Sequence, residues 1–140
     1  MLFRSRKRDV SSKTEYVMDS TALIAVVYQE PGYERVVEIL DKSAISAVNL
    51  AEIINKLVLR GAPAETVRDT LLKLELTVED WTEDLAYRSA EFTPFTKSHG
   101  LSLGDRACLT LAKHLHATAV TSDRTWSRKP SLGVPIMIFR

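Results

Sequence analysis

One cysteine, Cys108, stands among the 140 residues, so no intramolecular disulfide can form and packing must hold the fold. A lone thiol fits a reducing compartment, and a cytoplasmic location is expected. Histidine is almost as scarce. The three, at 99, 114 and 116, have no second thiol to join, and His114 and His116 lie two apart in a helical pattern, where they do not face each other. A zinc site therefore has little to be built from. No apolar run approaches the ~20 residues a membrane span requires, so no membrane partner is expected. The N-terminal MLFRSRKRDVSSK has no apolar stretch of the kind a secretory signal carries. An excess of one charge is missing too: 19 Lys and Arg against 18 Asp and Glu leave +1. The whole molecule is neither a basic nucleic-acid clamp nor an acidic tail, and a charged site has to arise by local sorting.

What is present is a soluble, globular composition, 45% apolar and 26% charged, in one domain long enough to bury a core. Arg4, Arg6, Lys7 and Arg8, followed by Asp9, Ser11 and Ser12, read as a flexible basic arm over residues 1–14, with the folded domain at 15–140. Within it, YVM (16–18), AISA (44–47), ELTVEDW (75–81), TAVTS (118–122) and VPIMIF (134–139) read as strands. Helices are expected over 22–29, 33–42, 49–61, 64–74, 82–92 and 102–117. The last is the cleanest, with Ala107, Cys108, Leu111, Ala112 and Leu115 on one apolar face. That face makes Cys108 a core residue, not a nucleophile. Pro63 suits the first turn of its helix, Gly61 ends the one before, and Pro94 kinks or ends the 82–92 helix. Strands alternating with helices predict an α/β fold with a mainly parallel sheet covered on both faces.

The acids carry the chemistry. Asp19 and Asp123 each follow an apolar strand directly, so both project from the carboxyl edge, where open parallel sheets place ligands. Glu52 lies in the first turn or two of the helix after AISA and starts near that edge. Asp105 opens the 102–117 helix, although its connection leaves no clear strand. Each acid also has a local explanation. Asp19 is a good N-cap, Glu52 an exposed helix acid, Asp105 half of a capping box with Ser102, and Asp123 a turn former with Ser122. Together they imply several carboxylates in one place, with no arginine or lysine fixed among them by the local sequence. Like charges that close are stable only with protons or cations. Oxygen-only ligands favour magnesium or manganese, a standard device for phosphodiester chemistry.

VMDSTALIAVVYQEPG, ISAVNLAEIINKL, GLSLGDRACLTLA and AVTSDRTW resemble, in order and spacing, the signature blocks of PIN-domain proteins, closest to the VapC-like toxins of bacterial toxin–antitoxin pairs. The likeness covers residues 15–140. It implies a three-layer α/β/α fold with a central, mainly parallel five-stranded sheet, and a Mg²⁺- or Mn²⁺-dependent endoribonuclease. Asp19, Glu52, Asp105 and Asp123 stand where the family carries its acidic quartet. Asp19, Asp105 and Asp123 would serve mainly as metal ligands. Glu52 would be a ligand, directly or through water, or would orient the attacking water. Thr121, and Ser20 or Thr21, stand where the family often has small hydroxyl residues beside the metal. The resemblance also implies in-line attack by water, products with a 5′-phosphate and a 3′-hydroxyl, a homodimer, and a small antitoxin protein covering the site. Arg106, Arg124 and Arg128 are candidate contacts to RNA phosphates, or salt-bridge partners of neighbouring carboxylates.

The rival reading is a catalytically silent PIN-fold module that binds RNA or protein, which usually shows as loss of one or more acids. A phosphoryl-transfer or receiver fold also gathers aspartates at a sheet edge. It requires a second acid where Thr21 stands, or paired acids and a late lysine that are missing.

Overall fold

Short apolar runs become strands because both sheet faces are covered, and a doubly covered strand needs no polar alternation. The computed structural model describes residues 13–128 and 132–140, without the side chains of 97–99 and 128. The arm expected over 1–14 therefore lies outside the described residues except for Lys13 and Thr14. The strands are β1 (Tyr16–Met18), β2 (Ser43–Ser46), β3 (Thr77–Glu79), β4 (Thr118–Thr121) and β5 (Ile136–Ile138). The interior strand β2 is buried throughout, whereas the edge strands β3 and β5 are half-buried.

The strand order is β3-β2-β1-β4-β5, and every pairing is parallel. From β1 the chain winds outward through β2 to β3, then returns to the other side of β1 for β4 and β5. The winding direction thus reverses between β1 and β4, and such a switch point opens a crevice at the carboxyl edge. Register fixes what lines it. Met18 pairs with Ile45 on one side and Val120 on the other. The next residue of each strand or its continuation, Asp19, Ser46 and Thr121, comes into line at that edge.

Among the described residues there are seven α-helices: α1 (Ser20–Tyr28), α2 (Tyr33–Ile39), α3 (Ala47–Leu59), α4 (Ala64–Leu72), α5 (Glu83–Arg88), α6 (Pro94–His99) and α7 (Leu103–Leu115). Alternate strand residues feed two cores. Val17 and Ala119 face Cys108, Leu109, Phe92 and Trp126 around α7. Met18, Ile45 and Val120 face Leu23, Ile53, Leu57 and Leu71 of α1, α3 and α4. Gly32, with φ +89°, lies against the last strand's exit, where a Cβ would come 2.6 Å from the Phe139 carbonyl. No helix among the described residues is long and apolar enough to cross a membrane.

Two local expectations change. Pro94 neither kinks nor ends the 82–92 helix. That helix stops at Arg88, passes through a 3-10 turn (Ser89–Phe92), and Pro94 opens α6 at its first position. A missing N–H costs nothing there. Pro63 sits one residue before α4 with extended ψ, as its N-cap and not in its first turn.

Candidate active site

Asp19 leaves β1 with its N–H still bonded to Val120 O at 3.0 Å. Its extended backbone caps α1, and Oδ1 accepts from Ala22 N at 3.2 Å. Two threonines complete its setting. Thr21 donates to Oδ1 at 2.6 Å and accepts from Ser122 N at 3.1 Å. Thr121 donates to Oδ2 at 2.5 Å and accepts from Asp123 N at 3.0 Å. Each hydroxyl thus spans the crevice, joining the end of β1 to the turn after β4. Asp19 is only 4% exposed. Burial pushes its carboxyl up to about 6, against the lowering pull of Thr121, Thr21 and Ala22, with Asp105 adding a smaller upward push.

Asp105 reaches the same region by a different route. Ser102 caps α7 and forms a capping box: Ser102 Oγ accepts from Asp105 N at 3.1 Å, and Asp105 Oδ2 accepts from Ser102 N at 2.9 Å. Partial burial raises the Asp105 carboxyl, Ser102 opposes that, and the charges of Glu52 and Asp123 raise it further. Asp123 is exposed and opens the 3-10 turn Arg124–Arg128, its Oδ1 accepting from Thr125 N at 2.9 Å and Thr125 Oγ1 at 2.6 Å. Glu52 lies in the second turn of α3, a helix capped by Ser46. Its Oε1 accepts from Asn49 Nδ2 at 2.9 Å. Behind the group, the Cys108 thiol is fully buried and pushed well up, first by burial and then by Asp19, Asp105 and Glu52.

The four acids therefore share one electrostatic neighbourhood at the carboxyl edge, as their strand-end and helix-start positions predict. No ion pair among the described residues neutralises any of them. Among the described residues, no three acidic, histidine or cysteine side chains are already drawn tightly enough together to hold a metal ion. Each aspartate is turned toward local N–H and O–H donors, and like charges without a cation keep apart. The donor set nonetheless suits a hard divalent ion: it is all oxygen, and a buried carboxylate without a counter-charge is part of it.

Ser20 is buried in the first turn of α1. Arg106 is half-buried and turns its Nε back to Ser102 O at 3.4 Å. Arg124 is exposed, and the side chain of Arg128 lies outside the described residues. Lys56, one turn beyond Glu52, brings Nζ to 3.5 Å from Ser20 Oγ. Asn49, at i−3 from Glu52, and Gly104, beside Asp105, are two further neighbours that carry no charge to mark them in the sequence.

A doubly wound parallel sheet with carboxylates gathered over its switch point defines the class of fold. Residues 16–132 match the PIN domain, and the chain belongs to that family. PIN-domain nucleases generally use divalent metal ions. The structure resembles a chain of the VapBC2 complex from Rickettsia felis bound to a promoter DNA fragment. They share 21% identity at a TM-score of 0.68, covering 87% of this chain and 96% of that one. DNA-bound VapBC from Salmonella typhimurium aligns at 19% identity and TM-score 0.66, covering 88% and 96%. FitAcB from Neisseria gonorrhoeae aligns at 21% identity and TM-score 0.61, covering 87% and 96%. At these identities the likeness is one of fold. No curated protein is similar enough in sequence to count as a relative.

Proposed function

We propose that the chain is a metal-dependent endoribonuclease and the toxin of a toxin–antitoxin pair. The observation that carries this reading is Asp19: a buried carboxylate, oriented by two threonine hydroxyls and a helix N–H, without a cationic partner among the described residues, within electrostatic reach of Asp105, which in turn feels Glu52 and Asp123. Such a group favours a bound cation over bare ionisation. Asp19, Asp105 and Asp123 would hold one or two Mg²⁺ or Mn²⁺ ions, with Glu52 as a ligand or as the group that orients the attacking water. When bound, the metal supplies phosphate polarisation and an activated water. Thr21 and Thr121 keep Asp19 in one rotamer, and Ser20 lies beside them. Water adds to phosphorus as the P–O3′ bond breaks, leaving a 5′-phosphate and a 3′-hydroxyl. Arg106, Arg124, Arg128 and Lys56 would take RNA phosphates, which are sequence-independent contacts.

The partners proposed are RNA, a second copy of the chain and an antitoxin protein. What supports the antitoxin is that a toxin–antitoxin complex from Klebsiella pneumoniae shares this fold. Exposed Val37, Ile54, Val58 and Leu59 on α2 and α3 offer apolar surface for such contacts. Nothing favours the silent binding module, since all four acids are present.

The test is cleavage of labelled RNA by the purified chain with Mg²⁺, Mn²⁺ or EDTA, beside Asp19→Asn and Asp105→Asn. Metal-dependent cleavage that both substitutions abolish, with circular dichroism unchanged, is expected. Cleavage in EDTA, or full activity in either variant, would sink the mechanism.

A further inference from the structure

A glutamate in the second turn of a helix has three side-chain torsions free, so its place on α3 does not by itself aim Glu52 at α7. Two neighbours do. Asn49, 1% exposed, directs Nδ2 to both Glu52 Oε1 at 2.9 Å and the Gly104 carbonyl at 3.0 Å. Gly104, in the first turn of α7, carries the Glu52 carboxylate directly over its α-carbon, and a single methyl group there would overlap both carboxylate oxygens.

Neither residue has an adequate local reason to be what it is. Gly104 does not use glycine's backbone freedom, since its φ is not positive as it is at Gly32, Gly61, Gly100 and Gly133. In a helix, glycine is otherwise a worse choice than alanine. Asn49 cannot be flipped, because its oxygen would then face two acceptors. As oriented, Oδ1 is buried without a hydrogen-bond partner. A side chain kept for packing alone would not carry that cost.

We infer that Asn49 and Gly104 are positioning residues that set the Glu52 carboxylate beside Asp105. Asn49 holds it and Gly104 makes room for it. They join the first turns of α3 and α7 above the sheet edge, so the distance between two acids from different helices is set by one amide and one absent side chain. The inference rests on the metal-nuclease reading, because this spacing matters only if the acids share a cation.

The experiment is Mn²⁺ binding by calorimetry and RNA cleavage, with melting temperatures, for Gly104→Ala, Asn49→Ala, Glu52→Gln and the Gly104→Ala/Glu52→Gln pair. Gly104→Ala changes no acid, yet it should weaken Mn²⁺ binding about tenfold or more, the usual cost of disturbing a ligand's support. Its melting temperature should equal or exceed the wild type's, because alanine favours the helix. In the Glu52→Gln background the extra effect of Gly104→Ala should vanish, since it acts through Glu52. Wild-type Mn²⁺ affinity and cleavage in Gly104→Ala overturn the inference. So does an equal loss in the Glu52→Gln background, or a loss that comes with a fallen melting temperature. Asn49→Ala should repeat the Gly104→Ala loss; if it does not fold, Gly104→Ala still decides. Asp19→Asn separates the two levels. A wild type that binds no Mn²⁺, or an Asp19→Asn that binds it equally well, defeats the nuclease reading itself. Mn²⁺ binding that Asp19→Asn abolishes and Gly104→Ala leaves untouched defeats only the positioning pair.

Discussion

Replacing Asp19 by asparagine should make the metal-free protein more stable at pH 8, although it removes a side chain with three hydrogen-bond donors around it. Burial lifts the carboxyl from 3.8 to about 6. The folded chain therefore keeps this proton at pH values where the unfolded chain has lost it. Stability contributed by Asp19 is full below about 4, falls as pH rises, and is lost above about 6. At ~1.4 kcal/mol per tenfold change in proton affinity, holding the charge costs the native state about 3 kcal/mol at pH 8. Asparagine avoids that cost and keeps an oxygen for Thr21 and Ala22. It puts an amide where Oδ2 met Thr121, whose hydroxyl already accepts from Asp123 N, so about 1–2 kcal/mol of hydrogen bonding is lost.

The net gain is about 1–2 kcal/mol, or roughly 4–8 °C in melting temperature for a domain of this size. Scans in EDTA at pH 8 and pH 4.5 measure it. The gain should be clear at pH 8 and absent or reversed at pH 4.5, where wild-type Asp19 holds its proton. Adding Mg²⁺ at a hundredfold excess over its dissociation constant should return roughly 3 kcal/mol to the wild type and nothing to the variant, reversing their order. A variant that is less stable than the wild type at pH 8 in EDTA, or equally favoured at both pH values, would refute the reasoning that Asp19 is a strained, cation-seeking charge.

Thr121→Val keeps the shape but strips one donor from a buried carboxylate and one acceptor from Asp123 N. Urea unfolding should show about 1–3 kcal/mol lost, and the Asp19 carboxyl, followed by NMR, should titrate higher still. Lys56→Met should leave the fold intact, raise KM for RNA several-fold and lower the salt dependence of RNA binding by about one phosphate contact, read from binding at graded salt. An unchanged salt slope would remove Lys56 from the RNA path. The Cys108 thiol, fully buried beneath the acids and pushed up first by burial, should resist a thiol reagent in the native protein and react at once in denaturant. Fast native labelling would show that α7 opens from the sheet.

How much of this could be read from residues alone depended on how local the cause was. YVM and TAVT are apolar enough to require a buried strand, and parallel register then places Asp19 and Thr121 side by side. Asp105 was less legible, because no strand delivers it. It arrives with α7, whose apolar face packs on the sheet through Cys108, Leu109 and Ala112. The 82–92 segment reads as one helix from its composition, yet the α-helix stops at Arg88 and a 3-10 turn carries Phe92 into the core before Pro94 opens α6. His116 ends α7 in the left-handed conformation at φ 54°, a place glycine usually takes and a histidine in the sequence does not announce. Asn49 and Gly104 meet only in three dimensions, and nothing in either helix alone announces the other.

Capping and metal binding are not competing accounts of these aspartates. A cap fixes one carboxylate oxygen against a backbone N–H, and with it the side-chain torsions. Asp105 Oδ2 accepts from Ser102 N, and Asp123 Oδ1 accepts from Thr125 N. Asp19 Oδ1 accepts from Ala22 N, while Oδ2 accepts from Thr121 alone. In each aspartate the oxygen opposite the backbone N–H keeps an open lone pair, and the rotamer is set before any ligand arrives. Orientation entropy that an exposed aspartate would lose on binding a cation is lost at folding instead. Glu52 has no cap to use, being a turn too far into α3. It is the acid that depends on a neighbour's amide and on the space above a glycine.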